Sequence, residues 1–211
     1  MILYSTQDYS VFELLERGET YRAKCPYPDK DMDMVDERFL HSYHWISDQM
    51  DKKIGIRPTL ETYPTWAFYQ WYGPKKMKPD LRYTGTRCFA ENRTCALMTL
   101  EIPDNQVLLS DYDAWHFVLN SWYLGDEKRA DELWDIKRDL KGCYNYEYYP
   151  EWLRNELEES WHNVFDMELS RKYLEFEEDQ QIIQATFWEI KPGYLKEAVK
   201  FNKTGKTTKV L

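Results

Sequence analysis

The chain has 211 residues, a formal net charge of −9 and 43% hydrophobic residues. That length supports one good core, or a core with a helical insertion. The charge argues against a general coating of nucleic acid, and no run of about 18 apolar residues exists to span a membrane. Residues 1–10, MILYSTQDYS, lack the basic-then-apolar pattern of a secretion leader, and four cysteines without tight pairing fit a reducing, cytoplasmic setting.

In chain order, residues 3–6 read as a first strand. Ser10 or Asp8 can cap a short helix through Val11, Leu14 and Leu15 that Gly18 stops. Residues 21–23 read as a brief strand, and Pro26, Pro28 and DKDMDM as a loop. Residues 36–50 carry Phe39, Tyr43, Ile46 and Met50 on one helical stripe. Residues 65–71 are aromatic and extended, followed by a basic loop ending in Asp80-Leu81-Arg82. Strands are expected at 93–102 and 107–109, then a helix capped by Asp111 that carries Trp115, Val118, Leu119 and Trp122.

Residues 126–140 and 151–176 read as two charged amphipathic helices. The first has the stripe Ala130, Leu133, Ile136 and Leu140, and the second Leu153, Leu157, Trp161, Val164 and Phe165. Their charge and late position suggest a lid or partner-facing insertion over 126–180. The apolar run at 183–190 is a last strand, followed by a Pro-Gly turn and an amphipathic segment to 201. Residues 202–211 have no apolar period and are expected to fray. The predicted fold is one α+β domain over 1–201, with strands at both ends of the chain and a flexible tail.

Aromatic residues make up 17% of the chain, about twice the usual share. In the block 63–72, alternation puts Trp66 and Phe68 on one strand face and Tyr69 and Trp71 on the other. Such rings serve a core or stack on a ligand. Arg82 can hold a phosphate or carboxylate bidentately. In the last strand, alternation puts Ile183, Ala185, Phe187 and Glu189 on one face, so Glu189 is the lone acid of an apolar row. It is either a strand-end carboxylate reaching water or a site acid in a partly dry cleft. Asp111, at a strand-to-helix junction, is a helix cap or a second site acid. His41 and His44 share a helix face, but no third ligand is evident, so no metal site is expected. Phosphate-binding glycine loops and a G-x-S-x-G elbow are absent.

Three blocks, YPTWAFYQWYG with KPDLR, LEIPDNQVLLSDYDAWHFVLNSWYL, and IIQATFWEI, together with LYSTQ, resemble an uncharacterised family of bacterial and phage cytosolic proteins, a domain of unknown function. More distantly, the order of elements is similar to that of the DNA-targeting ADP-ribosyltransferase toxins of the DarT kind. Those have a split mixed or antiparallel sheet. Their first strand carries a polar NAD contact, their middle strand ends in a (T/S)-D motif before a helix, and their last strand reads Q-A-E. Here Tyr4 or Ser5 stands where their histidine is expected, Ser110-Asp111 matches the middle motif, and Gln184-Ala185-Thr186 puts Thr186 in place of the catalytic glutamate. Threonine cannot stabilise the positive charge of the breaking nicotinamide bond as a carboxylate does.

The resemblance implies a domain that binds NAD or a related nucleotide and transfers ADP-ribose to a protein or nucleic acid, or hydrolyses NAD. Glu189 or Asp111 would be the catalytic acid. Ser5, Gln7 and Thr186 would hydrogen-bond the ligand, Tyr69, Trp71 or Trp188 would stack on it, and Arg82 would meet the pyrophosphate. Without the glutamate, the alternative is a non-catalytic binding module of the same fold, acting by protein contact in phage–host or defence systems.

Overall fold

A computed structural model describes residues 1–25 and 37–211. The proline-rich loop expected after residue 25 and the expected helix start at Asp36 lie outside the described residues. Seven strands form one sheet in the order β5-β6-β3-β1-β4-β8-β9: β1 (Ile2–Asp8), β3 (Thr65–Gln70), β4 (Cys95–Glu101), β5 (Leu108–Asp111), β6 (Ile183–Phe187), β8 (Leu195–Phe201) and β9 (Thr207–Lys209). A separate ribbon pairs β2 (Tyr21–Arg22) with β7 (Glu189–Ile190). Every pairing is antiparallel. The architecture is α+β, as expected, with both termini in the main sheet.

Alternation on β1 and β4 sets the inner face. Leu3 lies opposite Leu100 and Ser5 opposite Met98. Helix α1 (Tyr9–Glu16) covers this face with Val11, Phe12 and Leu15, all buried. Asp8 caps the helix by accepting a hydrogen bond from the Ser10 N–H.

The other face of β5 and β6 carries a second core. Helices α2 (Glu37–Lys53), α3 (Tyr112–Leu119) and α5 (Glu151–Ser160) pack there with a 3-10 turn at Trp161–Phe165. Leu153, Leu157, Trp161 and Val164 are each 0% exposed. The segment 126–180 is therefore not a lid. It closes the half of the core that covers Leu108 and Trp188. Its second helix is broken where Asp166 caps α6 (Met167–Tyr173), accepting from Glu168 N and Leu169 N. Gly73 ties the segment back to the sheet. Its N–H donates to Gln181 O, and a Cβ there would lie 2.4 Å from Asp179 Cα. Its φ of +66° also favours glycine.

Four other expectations change. On α4 (Lys128–Leu140) the buried residue is Trp134, while Leu133, Ile136 and Leu140 of the expected apolar stripe face outward. The last strand leaves the main sheet at Trp188, so Glu189 does not share a face with Ala185 and Phe187. The segment after the Pro-Gly turn is β8, paired with β4, and the segment expected to fray turns back to pair Thr207–Lys209 with β8. In β3 a bulge between Phe68 and Gln70 separates Tyr69 from Trp71. Tyr69 packs on the α1-side core and Trp71 packs edge-on against Phe68, with ring centroids 4.4 Å apart.

Candidate functional site

The residues matched to the transferase pattern are each engaged internally. Ser5 is fully buried, and its hydroxyl donates to Trp66 O at 2.8 Å while accepting from Gln7 Nε2 at 2.9 Å. Thr186 is also fully buried and donates to Leu108 O at 3.3 Å. Gln184 donates to Ser110 Oγ at 3.1 Å, and the two are register partners across β5 and β6. The polar triplet is thus satisfied by its neighbouring strand, as buried polar groups require. Trp188 is held by its indole N–H on Gly55 O at 2.7 Å and lies under the Arg57 guanidinium.

Asp111 is 0% exposed. Its Oδ1 accepts from Asp113 N and Ala114 N at the start of α3, and its Oδ2 accepts from Gln181 Nε2 at 2.8 Å. Its hydrogen bonds are those of a helix cap and of a buried link to Gln181. Arg82 is exposed on its loop and forks onto Asp80, whose carboxyl it holds down to about 2. Glu189 accepts from Arg22 Nε at 2.7 Å, and Lys191 approaches it at 3.4 Å. Glu189 and Arg82, which the resemblance assigns to one bound nucleotide, have different partners. Arg22 is half exposed, so solvent screens the pair. Glu189→Gln is expected to cost no more than about 1 kcal/mol in a denaturant titration. A loss of about 3 kcal/mol or more would mean the carboxylate is far drier than its partners indicate.

The helical layer brings His41, which the sequence paired with His44, together with two groups that the sequence did not single out. His41 on α2, Glu158 on α5 and Tyr146 from the 3-10 turn Tyr146–Tyr148 meet at one point. The Tyr146 O–H donates to Glu158 Oε1 at 3.0 Å and lies 2.8 Å from His41 Nε2, which is 3.1 Å from the same carboxylate oxygen. The His41 hydrogen bond is the largest influence lowering the Glu158 pKa, against the opposing effect of burial. Burial first, then the Glu158 charge, pushes the Tyr146 phenol up, so its proton stays on at neutral pH. His44 instead turns to Tyr63 at 3.3 Å, so the two histidines do not converge. Among the described residues no group of three or more His, Cys, Asp or Glu could hold a metal ion. Among the described residues no disulfide joins any of the four cysteines.

Tyr146 and Glu147 form the wall between two cavities. One, of about 490 Å³, is lined by His41, Glu151, Arg154 and Glu158. The other, of about 670 Å³, opens between the end of α3, α4 and the 144–149 turn. Its wall includes Tyr123 stacked on Trp134, with ring centroids 4.8 Å apart and planes 9° from parallel. Asp131 also lines it. Burial raises the Asp131 carboxyl above its usual range, although the Tyr173 hydroxyl donates to Oδ2 at 2.8 Å. The segment CYNYEYYP, 143–150, was the available signal: six of its eight residues are Tyr, Asn or Glu, with four tyrosines. It has neither apolar period nor motif spacing, so nothing in the sequence placed it beside His41.

Residues 2–196 match the family model described as Domain of unknown function (DUF3841). The chain belongs to this family. No curated protein and no solved structure matches it. The DUF3841 match takes in the whole helical layer and the sheet up to the start of β8, so the cavities lie within the family's own domain. Among the described residues no helix is long and apolar enough to cross a membrane.

Proposed function

We propose that this DUF3841 chain is a binding module that acts by protein contact, with the face of its helical layer as the working surface. One observation carries this. Of the 13 large hydrophobic residues exposed among the described residues, seven fall between 122 and 152: Trp122, Leu133, Ile136, Leu140, Tyr144, Tyr148 and Trp152. Single exposed apolar residues are ordinary, but a concentration marks an interaction surface. Leu133, Ile136 and Leu140 recur at i, i+3, i+7, so they form one stripe along α4. Trp and Tyr are the side chains that anchor protein interfaces.

The test is co-purification from cells of the chain's own source, with hydrogen exchange to map the contact. A partner is expected that slows exchange over 133–152 and is lost with the Ile136→Asp, Leu140→Asp variant. Both side chains are exposed, so the variant should keep its melting temperature. A charge placed in an interface core should weaken binding by about 2 kcal/mol or more, some thirtyfold. If the variant retains the same partner, or no partner protects this face, the proposal fails. Calorimetry with NAD and ADP-ribose tests the nucleotide reading of the strand motifs. A Kd below about 100 μM, worth about 5.5 kcal/mol, would move the function to nucleotide binding.

A further inference from the structure

The larger cavity shares Trp122 and Tyr144 with that face, but the contact proposal makes no use of its polar lining. Its wall combines three features. The first is aromatic surface from the half-buried Tyr123, which is backed by the buried Trp134, and from the exposed Tyr144; ring faces carry partial negative charge. The second is charge. The lining includes the carboxylates of Asp131, Asp135 and Glu147 against one cation, Arg138. Arg138 is taken up by Asp135 at 3.0 Å and Asp139 at 3.4 Å. Asp131 and Glu147 have no ion pair among the described residues.

The third feature is unmet hydrogen bonding. Ser121 is only 8% exposed and lines the cavity, yet its hydroxyl has no partner. Its backbone is held at φ +53°, in the left-handed region that favours glycine. Arg138 Nε, also in the wall, is a second buried donor without a partner. Unpaired buried polar groups are rare and need an explanation.

We infer that this cavity binds an organic ammonium cation that also carries an acceptor oxygen. The ammonium is balanced by Asp131 and Glu147 and attracted by the ring faces, and the oxygen takes the donors of Ser121 and Arg138. An anionic ligand is disfavoured, because the one cation in the wall already faces two carboxylates. A neutral base would leave Asp131 and Glu147 without a counter-charge. The same chemistry is offered by a free small amine and by a lysine side chain of a bound protein.

Titration calorimetry on the full chain at constant ionic strength tests the inference. The probes are tetramethylammonium chloride, Nα-acetyl-lysine methylamide and the latter's Nε-acetylated, uncharged form. Saturable binding of the lysine amide is expected, with the uncharged form at least tenfold weaker. Asp131→Asn should weaken it at least tenfold. Glu147→Gln, at an exposed position that leaves the fold alone, should weaken it severalfold. Tighter binding of the lysine amide than of tetramethylammonium indicates a lysine side chain, and the reverse order a free cation. No saturable binding of either cation, or equal binding of the uncharged form, overturns the inference. The Ile136→Asp, Leu140→Asp variant should bind the cation normally, so loss of the protein partner and loss of the cation site are read separately.

Discussion

Trp161→Ala should destabilise the protein by about 3–5 kcal/mol, the cost of emptying a large aromatic site in a core. Trp161 is 0% exposed and sits where α5 ends. Its indole N–H donates to Trp122 O at 2.9 Å, and its ring stands edge-on to Trp45 at 5.5 Å and tilted to His41 at 5.8 Å. Truncation therefore creates a cavity, leaves a carbonyl unpaired and removes two ring contacts. Urea unfolding followed by tryptophan fluorescence measures the loss. The same logic applies to removing 126–180 altogether. That deletion uncovers Ile46, Val118 and Trp188 of the shared core, so the shortened chain should not fold cooperatively. A Trp161→Ala protein within about 1 kcal/mol of the parent, or a folded deletion chain, would restore the view of these helices as a lid.

Asp111→Ala should cost roughly 2–4 kcal/mol, combining a lost helix cap with a buried amide left short of a partner. The carboxylate serves three donors at once: Asp113 N, Ala114 N and the Gln181 side chain. Gln181 also donates to Met167 O, so Asp111 couples the start of α3 to the start of α6. Asp111→Asn keeps an acceptor for the cap and should cost clearly less than the alanine change. A site acid would behave in the opposite way, since its removal leaves stability intact and abolishes binding or turnover. Thermal and urea unfolding of both variants, read beside ligand titrations, separates the roles. If Asp111→Ala is as stable as the parent, the capping account is wrong.

The strands β1, β3, β4 and β5 and helices α1 and α3 were legible because each carries a local signature. Alternation marks β1 and β4, a capping Asp8 and Gly18 bracket α1, and Asp111 announces α3. The candidate site was far less legible. Its groups come from positions such as 41, 121, 131, 146 and 158, and no spacing rule links residues more than 100 positions apart.

Sequence periodicity by itself determined that the chain is an α+β domain with strands at both ends, because alternation and the 3.6-residue period are properties of contiguous residues. It also determined that Gln184, Thr186 and Glu189 need partners, because a polar group in an apolar strand must be satisfied. Which partners they find was decided only by tertiary structure. Ser110 lies across from Gln184 because β5 pairs with β6, and Arg22 lies beside Glu189 because the chain leaves the main sheet at Trp188. The same holds for α4. Its pattern offered two faces, and the one-ring face of Trp134 was buried because Tyr123 and Tyr149 are there to pack on it, which left Leu133, Ile136 and Leu140 to the solvent.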